Sequence, residues 1–458
     1  MRATAELRAL PGVVEAAALM ATEPNRVLLA EAGLLTAEAE SAGATDLVLA
    51  VRAETADAAR TALACAELLL APPGAPSAAT ELAPRSTFTA ARRAEGAQVA
   101  VISVPGPFAA LEAHQALGAG LHVFLFSDHV APADEVTLKR RAGARGLFVM
   151  GPECGTAILD GIGLGFANRV RRGPIGLVGA SGTGLQEVST LVHRLGGGVS
   201  QVIGTGGRDL DDAVGGLTTL QALEWLARDP ATAVIVIVSK PPSAAVADRV
   251  LAAAAAAGKP VVACLLGWGG KAPAGVRAVA TLEAAALTGL DAVGLTPAAL
   301  PLPSEGGSPA AGRVAGLFTG GTLCEEAAAI VGDGLPFVDF GSPAYTRGRP
   351  HPMIDPALRN GAVRAAGADG GVAVILADVV LGWGAHPDPA GELARAGADA
   401  RAAARGRPLH LVAHVVGTDE DPQRLGEQEA QLRAAGVLVC ATNRIAAELA
   451  RRLAGGKR

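Results

Sequence analysis

The stretch IGLVGASGTGLQE, Ile175–Glu187, decides the fold of this chain when it is set beside AGLFTGGTLCEE, Ala315–Glu326. Each is a short apolar run, then a loop of small residues reaching Gly-Thr, then a helical pattern with Glu187 or Glu326 four residues after Thr183 or Thr322. That order describes a strand feeding a helix through a loop with almost no side chains. Bare backbone N–H groups at a helix start, with the positive end of the helix dipole behind them, form an anion site. Two such loops at matching places predict a site where two helix starts handle one phosphoryl-type group.

The similarity runs beyond the loops. DPATAVIVIVSK (Asp229–Lys240) and GKPVVACLLGWGG (Gly258–Gly270) follow the first loop, and DGGVAVILADVV (Asp369–Val380) and GRPLHLVAHVVG (Gly406–Gly417) follow the second. Each half runs anion loop, apolar strand, helix, Gly-Lys/Arg-Pro, apolar strand. The period, about 140–150 residues, is that of a domain and not of a solenoid unit. A duplication explains this; the alternative is that two unrelated α/β domains share general features.

Outward from the repeat, the 458 residues suffice for about three domains. Residues 1–71 read as a small N-terminal α/β domain, with strands at Val13–Met20 and Asp46–Val51 and helices at Arg26–Gly33 and Glu54–Leu70. Pro72–Pro84 reads as a turn-rich linker. Residues 86–170 alternate strand and helix (strands Ala97–Val104 and Leu121–Phe126, helices Phe108–Leu117 and Asp134–Ala142), the pattern of a Rossmann-like parallel sheet. Residues 171–270 and 313–458 form the two duplicated parallel-sheet domains, and 271–312, rich in Ala, Pro, Gly and Ser, reads as the connection between them. The expected class is therefore α/β throughout. Ligands in such open sheets sit at the carboxyl ends of strands, where both Gly-Thr loops lie.

Composition narrows the function. Half of the residues are hydrophobic, but no apolar run reaches the roughly 18–20 residues of a membrane span. The first residues, MRATAELRALPGVVEAAAL, contain acids and lack a signal-type apolar core, so the expectation is a cytoplasmic protein without a membrane partner. A net charge of −5 and the lack of a basic patch with interleaved aromatics argue against nucleic acid. Cys65, Cys154, Cys264, Cys324 and Cys440 are isolated, with no metal-ligand spacing, and no metal is expected. Cys324, in the first turn of the second helix, is the one thiol where a thiolate is conceivable; a structural role is the simpler reading.

GASGTG (Gly179–Gly184) is no P-loop, since no Gly-Lys-Ser/Thr follows, and no nucleophile elbow, since Thr183 stands where Gly is needed. Ser181, Gly182, Thr183 and Gly184 are thus candidate phosphate binders, with Gly320, Gly321 and Thr322 on the second helix. The simpler reading is that these glycines only permit tight packing. GTGGRDLDD (Gly204–Asp212) offers Gly206, Gly207 and Arg208 as a substrate loop or as a plain surface loop. The matching segment FVDFGSPAYTRGRPHPMID (Phe337–Asp355) is enlarged and holds Ser342, Arg347, Arg349 and His351, where Arg forks suit carboxylate or phosphate. Lys240 ends an apolar strand on the same rim. The acids of HVVGTDEDPQ (His414–Gln423) read as turn and cap residues or as a substrate site. His114, His122, His129 and His193 read as structural.

SVPGPFAALEAHQALGAGLHVFLF, GPECG and GPIGLVGASGTGLQE resemble, in order and spacing, the α-subunit of succinyl-CoA synthetase and the NDP-forming acyl-CoA synthetases; AGLFTGGTLCEEA resembles the matching element of the β-subunit. With GVVEAAALMATEPNRVLLAEAGLL in front, essentially the whole chain resembles the FdrA family. The resemblance implies a CoA-binding-type Rossmann-like domain over 86–170, two flavodoxin-like domains behind it, and two phosphate-binding helices in one chain. Three departures stand out. GWGGKAPAG (Gly267–Gly275) has no histidine where the synthetases carry a phosphorylated one, Ser239 and Lys240 replace a Glu, and no G-x-T-G-x-x-G loop precedes Ala97. These count against a phosphohistidine shuttle and against CoA as a ligand. The FdrA family is linked to a multi-subunit oxamate carbamoyltransferase of allantoin breakdown, made with two dissimilar partner subunits. The resemblance thus implies a carbamoyltransferase subunit in a homo- or hetero-oligomer, acting on a small anionic substrate with carbamoyl phosphate or phosphate as ligand. Lys240, Arg347, Arg349 and His351 are the candidate catalytic residues. An acyl-CoA synthetase and a non-catalytic scaffold are the rival readings.

Overall fold

The computed structural model describes residues 2–70, 84–297, 300, 308–332 and 337–455. The Pro72–Pro84 linker, up to residue 83, and residues 301–307 of the expected connection lie outside the described residues. The chain divides into two compact units, Met1–Ala83 with Arg347–Arg349, and Pro84–Thr346 with Pro350–Arg458.

In the first unit, strands Val13–Met20 and Leu47–Ala53 pair antiparallel, with Met20 opposite Leu47 and Val13 opposite Ala53. Helices Arg2–Arg8, Glu23–Glu31, Ala37–Ser41 and Ala56–Leu70 accompany them. Successive side chains of a strand point to opposite faces. Ala16 accordingly packs with Leu7, Ala62 and Ala66, while Ala17 packs with Leu29, Leu34 and Val48.

The second unit holds three sheets. Strands Val99–Ile102, His122–Leu125 and Val149–Met150 form a small parallel sheet in that order, with helices Thr87–Arg93, Gly106–Gly118 and Pro132–Gly143. The central sheet runs, in spatial order, Val276–Ala278, Val261–Leu265, Val234–Ser239, Arg172–Ala180 and Val199–Gly204, and then a hairpin of Thr156–Leu159 and Ile162–Gly165. The third sheet runs Leu438–Cys440, His410–Val416, Val372–Val380, Arg313–Phe318 and Phe337–Asp339. Numbered within each half, both five-strand parallel arrays have the order 2-1-3-4-5, the flavodoxin-like winding whose switch point falls beside the first strand. Each Gly-Thr loop follows that first strand. The central strands are buried along their whole length, as a sheet covered on both faces requires, which explains runs such as VIVIVS and VAVILADVV.

Residues 271–312 are not merely a connection. They supply the edge strand Val276–Ala278 and the helix Leu282–Ala292, whose Leu282, Ala285, Ala286 and Leu290 lie in the same core as Leu185, Val188 and Leu191. Their counterparts are Leu438–Cys440 and the helix Asn443–Leu453. Each closing helix begins after an Ala-Thr pair, and Thr281 and Thr442 accept from Ala284 N (3.1 Å) and Ile445 N (3.2 Å) as N-caps. The duplication therefore extends through both closing helices. An Ala-rich helix in a segment with many Pro and Gly carries a weak helical signal, and only its packing distinguishes it from a linker.

The two halves exchange contacts. Glu187, on the helix Gly182–Arg194, bonds His414 Nε2 at 2.7 Å. Glu326, on the helix Gly321–Val331, accepts from Leu282 N and Asn443 Nδ2, each at 2.7 Å. Arg444 holds both oxygens of Glu283, at 3.0 and 2.9 Å, between the starts of the two closing helices. No helix among the described residues is long and apolar enough to cross a membrane.

Candidate functional site

The two Gly-Thr helix starts touch. Ser181 Oγ and Thr322 Oγ1 lie 2.7 Å apart, both buried. A Cβ on Gly320 would stand 2.8 Å from Thr183 Cγ2, and one on Gly184 would stand 3.0 Å from Thr322 Cγ2. The threonine of each helix thus covers a glycine of the other. The small residues let two helix ends approach, besides leaving N–H groups bare.

The two starts are not equivalent. At the second, Asp378 accepts from Thr319 N and Gly320 N, both at 2.7 Å, and is backed by the buried Arg359, whose Nη1 lies 3.7 Å from Asp378 Oδ1. Asp339 stands against Gly321; burial pushes its carboxyl up to about 6 against the pull of Lys240. Lys240 Nζ lies 2.7 Å from the Cβ position of Gly321 and 3.6 Å from Glu325 Oε1. Internal carboxylates therefore stand against the positive end of the second helix, although Asp378 accepts from the residues before it and the N–H groups of Gly321 and Thr322 find no acceptor among the described residues. At the first, Ser181 Oγ accepts from Gly184 N at 3.1 Å, while the N–H groups of Gly182 and Thr183 find no acceptor among the described residues. Ser181 and Gly182 line an open cleft of about 160 Å3, together with Glu153, Cys154, Thr156 and five further glycines that include Gly206 and Gly207. Gly206, at φ +91°, has no room for a Cβ against Pro152 O.

The other predicted residues are placed as follows. Arg208 donates to Glu135 Oε2 (3.1 Å) and Val130 O (2.8 Å), so it braces the small sheet's domain against the central one and is not an open anion binder. Arg347 is exposed, and Arg349 pairs with Glu31 at 2.9 Å; both group with the first unit and not with the Gly-Thr loops. His351 is packed on Phe166 with ring centroids 5.4 Å apart, its Nδ1 accepts from Met353 N at 3.2 Å, and burial lowers its pKa to about 4, leaving a neutral imidazole. Its Nε2 comes close to Gly341, beside Thr319 O and Asp339. Ser342 O accepts from Tyr345 N and Thr346 N, so Ser342 opens the short helix Pro343–Thr346. Burial pushes the Cys154 thiol up to about 12 and the Cys324 thiol up as well, so neither is a ready thiolate. In the HVVGTDEDPQ segment, Asp421 is a staple, accepting from Asn168 Nδ2, Arg169 N and Thr418 N at 2.7–2.8 Å.

Sequence reasoning missed Asp378, Glu153 and Thr156. Asp378 had a signal, a lone acid in an otherwise apolar strand. Glu153 lies in the GPECG segment, whose only signal is a resemblance, and Thr156 had none, because it reaches the cleft only through the pairing of Thr156–Leu159 beside Val199–Gly204.

A fold with paired 2-1-3-4-5 halves and facing helix starts is of the CoA-ligase type, and the comparisons agree. A CoA-ligase family model matches residues 317–453, and a CoA-binding-domain model matches residues 170–267, one of the duplicated halves rather than 86–170. A model described as "AllF, heavy metal-associated domain" matches residues 1–84. The chain is 40% identical over 482 residues to the uncharacterized protein YahF of Escherichia coli (strain K12), covering 96% of this chain and 93% of YahF. It is 29% identical to the α-subunit of the ADP-forming succinate–CoA ligase of Aquifex aeolicus (strain VF5), covering 40% of this chain and 60% of that subunit. A solved acetyl-coenzyme A synthetase of Ca. Korarchaeum cryptofilum aligns over 78% of this chain and 82% of its own, at 19% identity and a TM-score of 0.31. The chain belongs to the FdrA-like family, together with YahF. The heavy-metal description does not fit the residues present: 1–84 contains one cysteine, Cys65, and no histidine, too few soft ligands for such a site.

Proposed function

We propose that this chain is the subunit of a carbamoyltransferase that holds the phosphate of a carbamoyl phosphate, or free phosphate, on the Gly182–Thr183 N–H groups. Transfer of the carbamoyl group to or from a small anionic amide such as oxamate then needs positioning and charge stabilisation, not a nucleophile on the protein. The observation that carries the reading is the asymmetry of the two helix starts. Both leave their first two helical N–H groups without an internal acceptor among the described residues, but only the second has carboxylates, Asp378 and Asp339, set against it, and these disfavour an anion there. A single anion site serves a reaction in which phosphate stays in place. Shuttling a phosphoryl group between two helix ends calls for two vacant sites and a carrier histidine, and 267–275 has no histidine.

A second reading, an NDP-forming acyl-CoA synthetase, is favoured by the family models over 170–267 and 317–453 and by the succinate–CoA ligase relative. Against it stand the missing histidine in 267–275 and the missing G-x-T-G-x-x-G loop before Ala97. The deciding experiment is calorimetric titration of the chain, alone and with the two dissimilar partner proteins the carbamoyltransferase reading calls for, against carbamoyl phosphate, phosphate and CoA. Binding of carbamoyl phosphate and phosphate without CoA is expected. Tight CoA binding with acid-labile phosphorylation would move the chain to the synthetases.

A further inference from the structure

Opposite the open helix start, the cleft wall carries two polar groups that the protein itself leaves unused. Thr156 is 1% exposed, lines the cleft, and has an Oγ1 with no hydrogen-bond partner. That hydroxyl lies 3.9 Å from the Cβ position of Gly182, so it faces the helix start. Leaving a buried hydroxyl unpaired carries a desolvation cost that a bound ligand recovers. Glu153 is half-buried in the same wall. Its carboxylate forms no hydrogen bond among the described residues, and its Oε2 stands 3.5 Å from the Cβ position of Gly207. Its backbone sits at φ +58°, a left-handed conformation that is uncommon for a residue other than glycine. Such local strain collects at sites where it positions a side chain.

A carboxylate lining the same small cleft as a helix N-terminus selects for a ligand with two unlike ends. The anionic end goes to the N–H groups, and the end at Glu153 must bring N–H donors, because a second acceptor there is repelled. We infer that Glu153 is the specificity-determining residue of this cleft, accepting from the N–H2 of an amide- or carbamoyl-type ligand whose anionic group lies on Gly182, Thr183 and the Thr156 hydroxyl. The inference rests on the phosphate placement proposed above. Desolvation raises the Glu153 pKa, which suits a neutral amide donor better than an ammonium group. The two polar groups divide the work. Thr156 serves the anion and Glu153 serves the N–H2.

The test uses calorimetry on the full chain with three probes: inorganic phosphate, carbamoyl phosphate, and acetyl phosphate, which has CH3 where carbamoyl phosphate has N–H2. The unmodified chain is expected to prefer carbamoyl over acetyl phosphate by about tenfold or more, the range of one charge-assisted hydrogen bond. Glu153→Ala should bring that ratio near one without weakening inorganic phosphate binding, since a carboxylate is removed from a cleft that holds an anion. Thr156→Val should weaken all three probes alike while its thermal midpoint stays level or rises, since the lost hydroxyl had no partner in the protein. If phosphate binds but the ratio is the same with and without Glu153, the inference fails and the phosphate placement stands. If none of the three probes binds the unmodified chain, both fail.

Discussion

Single residues show why charge patterns mislead when read along the chain. Arg208 follows two glycines in a small-residue loop and has the sequence context of an anion binder. The fold commits it elsewhere. Lys139 is 4% exposed and donates to Glu135 Oε1 (2.7 Å), Asp209 Oδ1 (2.7 Å) and Thr205 O (2.9 Å), which satisfies its three donors. The second oxygen of Glu135 takes Arg208, and the second oxygen of Asp209 takes Thr219 N (2.8 Å) and Thr219 Oγ1 (2.6 Å). The network is complete, so removing its centre strands two buried carboxylates. Lys139→Met is expected to destabilise the protein by about 3–5 kcal/mol, measured as a shift of the urea midpoint, because an uncompensated buried charge is left behind. A shift no larger than that of a surface substitution would show that the cluster is not held as a unit. Arg208's own partners, Glu135 and Val130, lie 73 and 78 residues away in sequence, which is why its role could not be read there.

At the scale of elements, the Gly-Thr helix start was legible because its ingredients are local: an apolar strand, small residues, and Glu four places on. Which start has carboxylates set against it was not legible, because Asp378 and Asp339 arrive from other strands of the second half. The open start can be tested without changing a side-chain contact. Gly182 is the first residue of its helix, and a Cβ there meets nothing nearer than 3.7 Å. Ser181 before it is already extended, at φ −162° and ψ 97°, as a residue preceding proline should be. Proline is tolerated at the first helical position, where its missing N–H breaks no helix bond. Gly182→Pro should therefore fold, with an unchanged circular-dichroism spectrum, yet bind phosphate about tenfold or more weakly. Gly182→Ala, which keeps the N–H, should bind nearly as the unmodified chain does. Equal phosphate binding by the two variants would remove this N–H from the site.

At the scale of the whole second unit, buried acids tie the two halves together and make that junction pH-dependent. Burial pushes Glu326 up to about 7 from an ordinary 4.5. Between those values the native state keeps a proton that the unfolded chain has lost. The stabilising contribution is thus full below pH 4.5 and disappears as pH rises through about 7, a change on the order of 3 kcal/mol. Glu326→Gln keeps an oxygen for Leu282 N and removes the titration. The stability of this variant minus that of the unmodified chain should become more favourable as pH rises from 5 to about 8, followed by denaturant midpoints at each pH. A difference that stays flat would mean that Glu326 titrates alike in both states. Burial holds His351 neutral, so it adds the opposite slope at lower pH, and taking the difference between the two proteins removes it.

The sequence by itself determined the α/β class, the duplicated halves and the two Gly-Thr helix starts, because each depends on periodicity and spacing within a few residues of one another. The same local spacing did not reveal the strand and helix of 276–292, whose Ala-rich pattern acquires meaning only from the core it fills. Only the tertiary structure decided which helix start has carboxylates set against it, that Arg208, Arg349 and His351 are committed to partners, and that Glu153 and Thr156 wall the cleft. Those facts follow from strands brought side by side across long stretches of chain. Desolvation and partner geometry there, not residue type, decide whether a charged or polar group is free to meet a ligand.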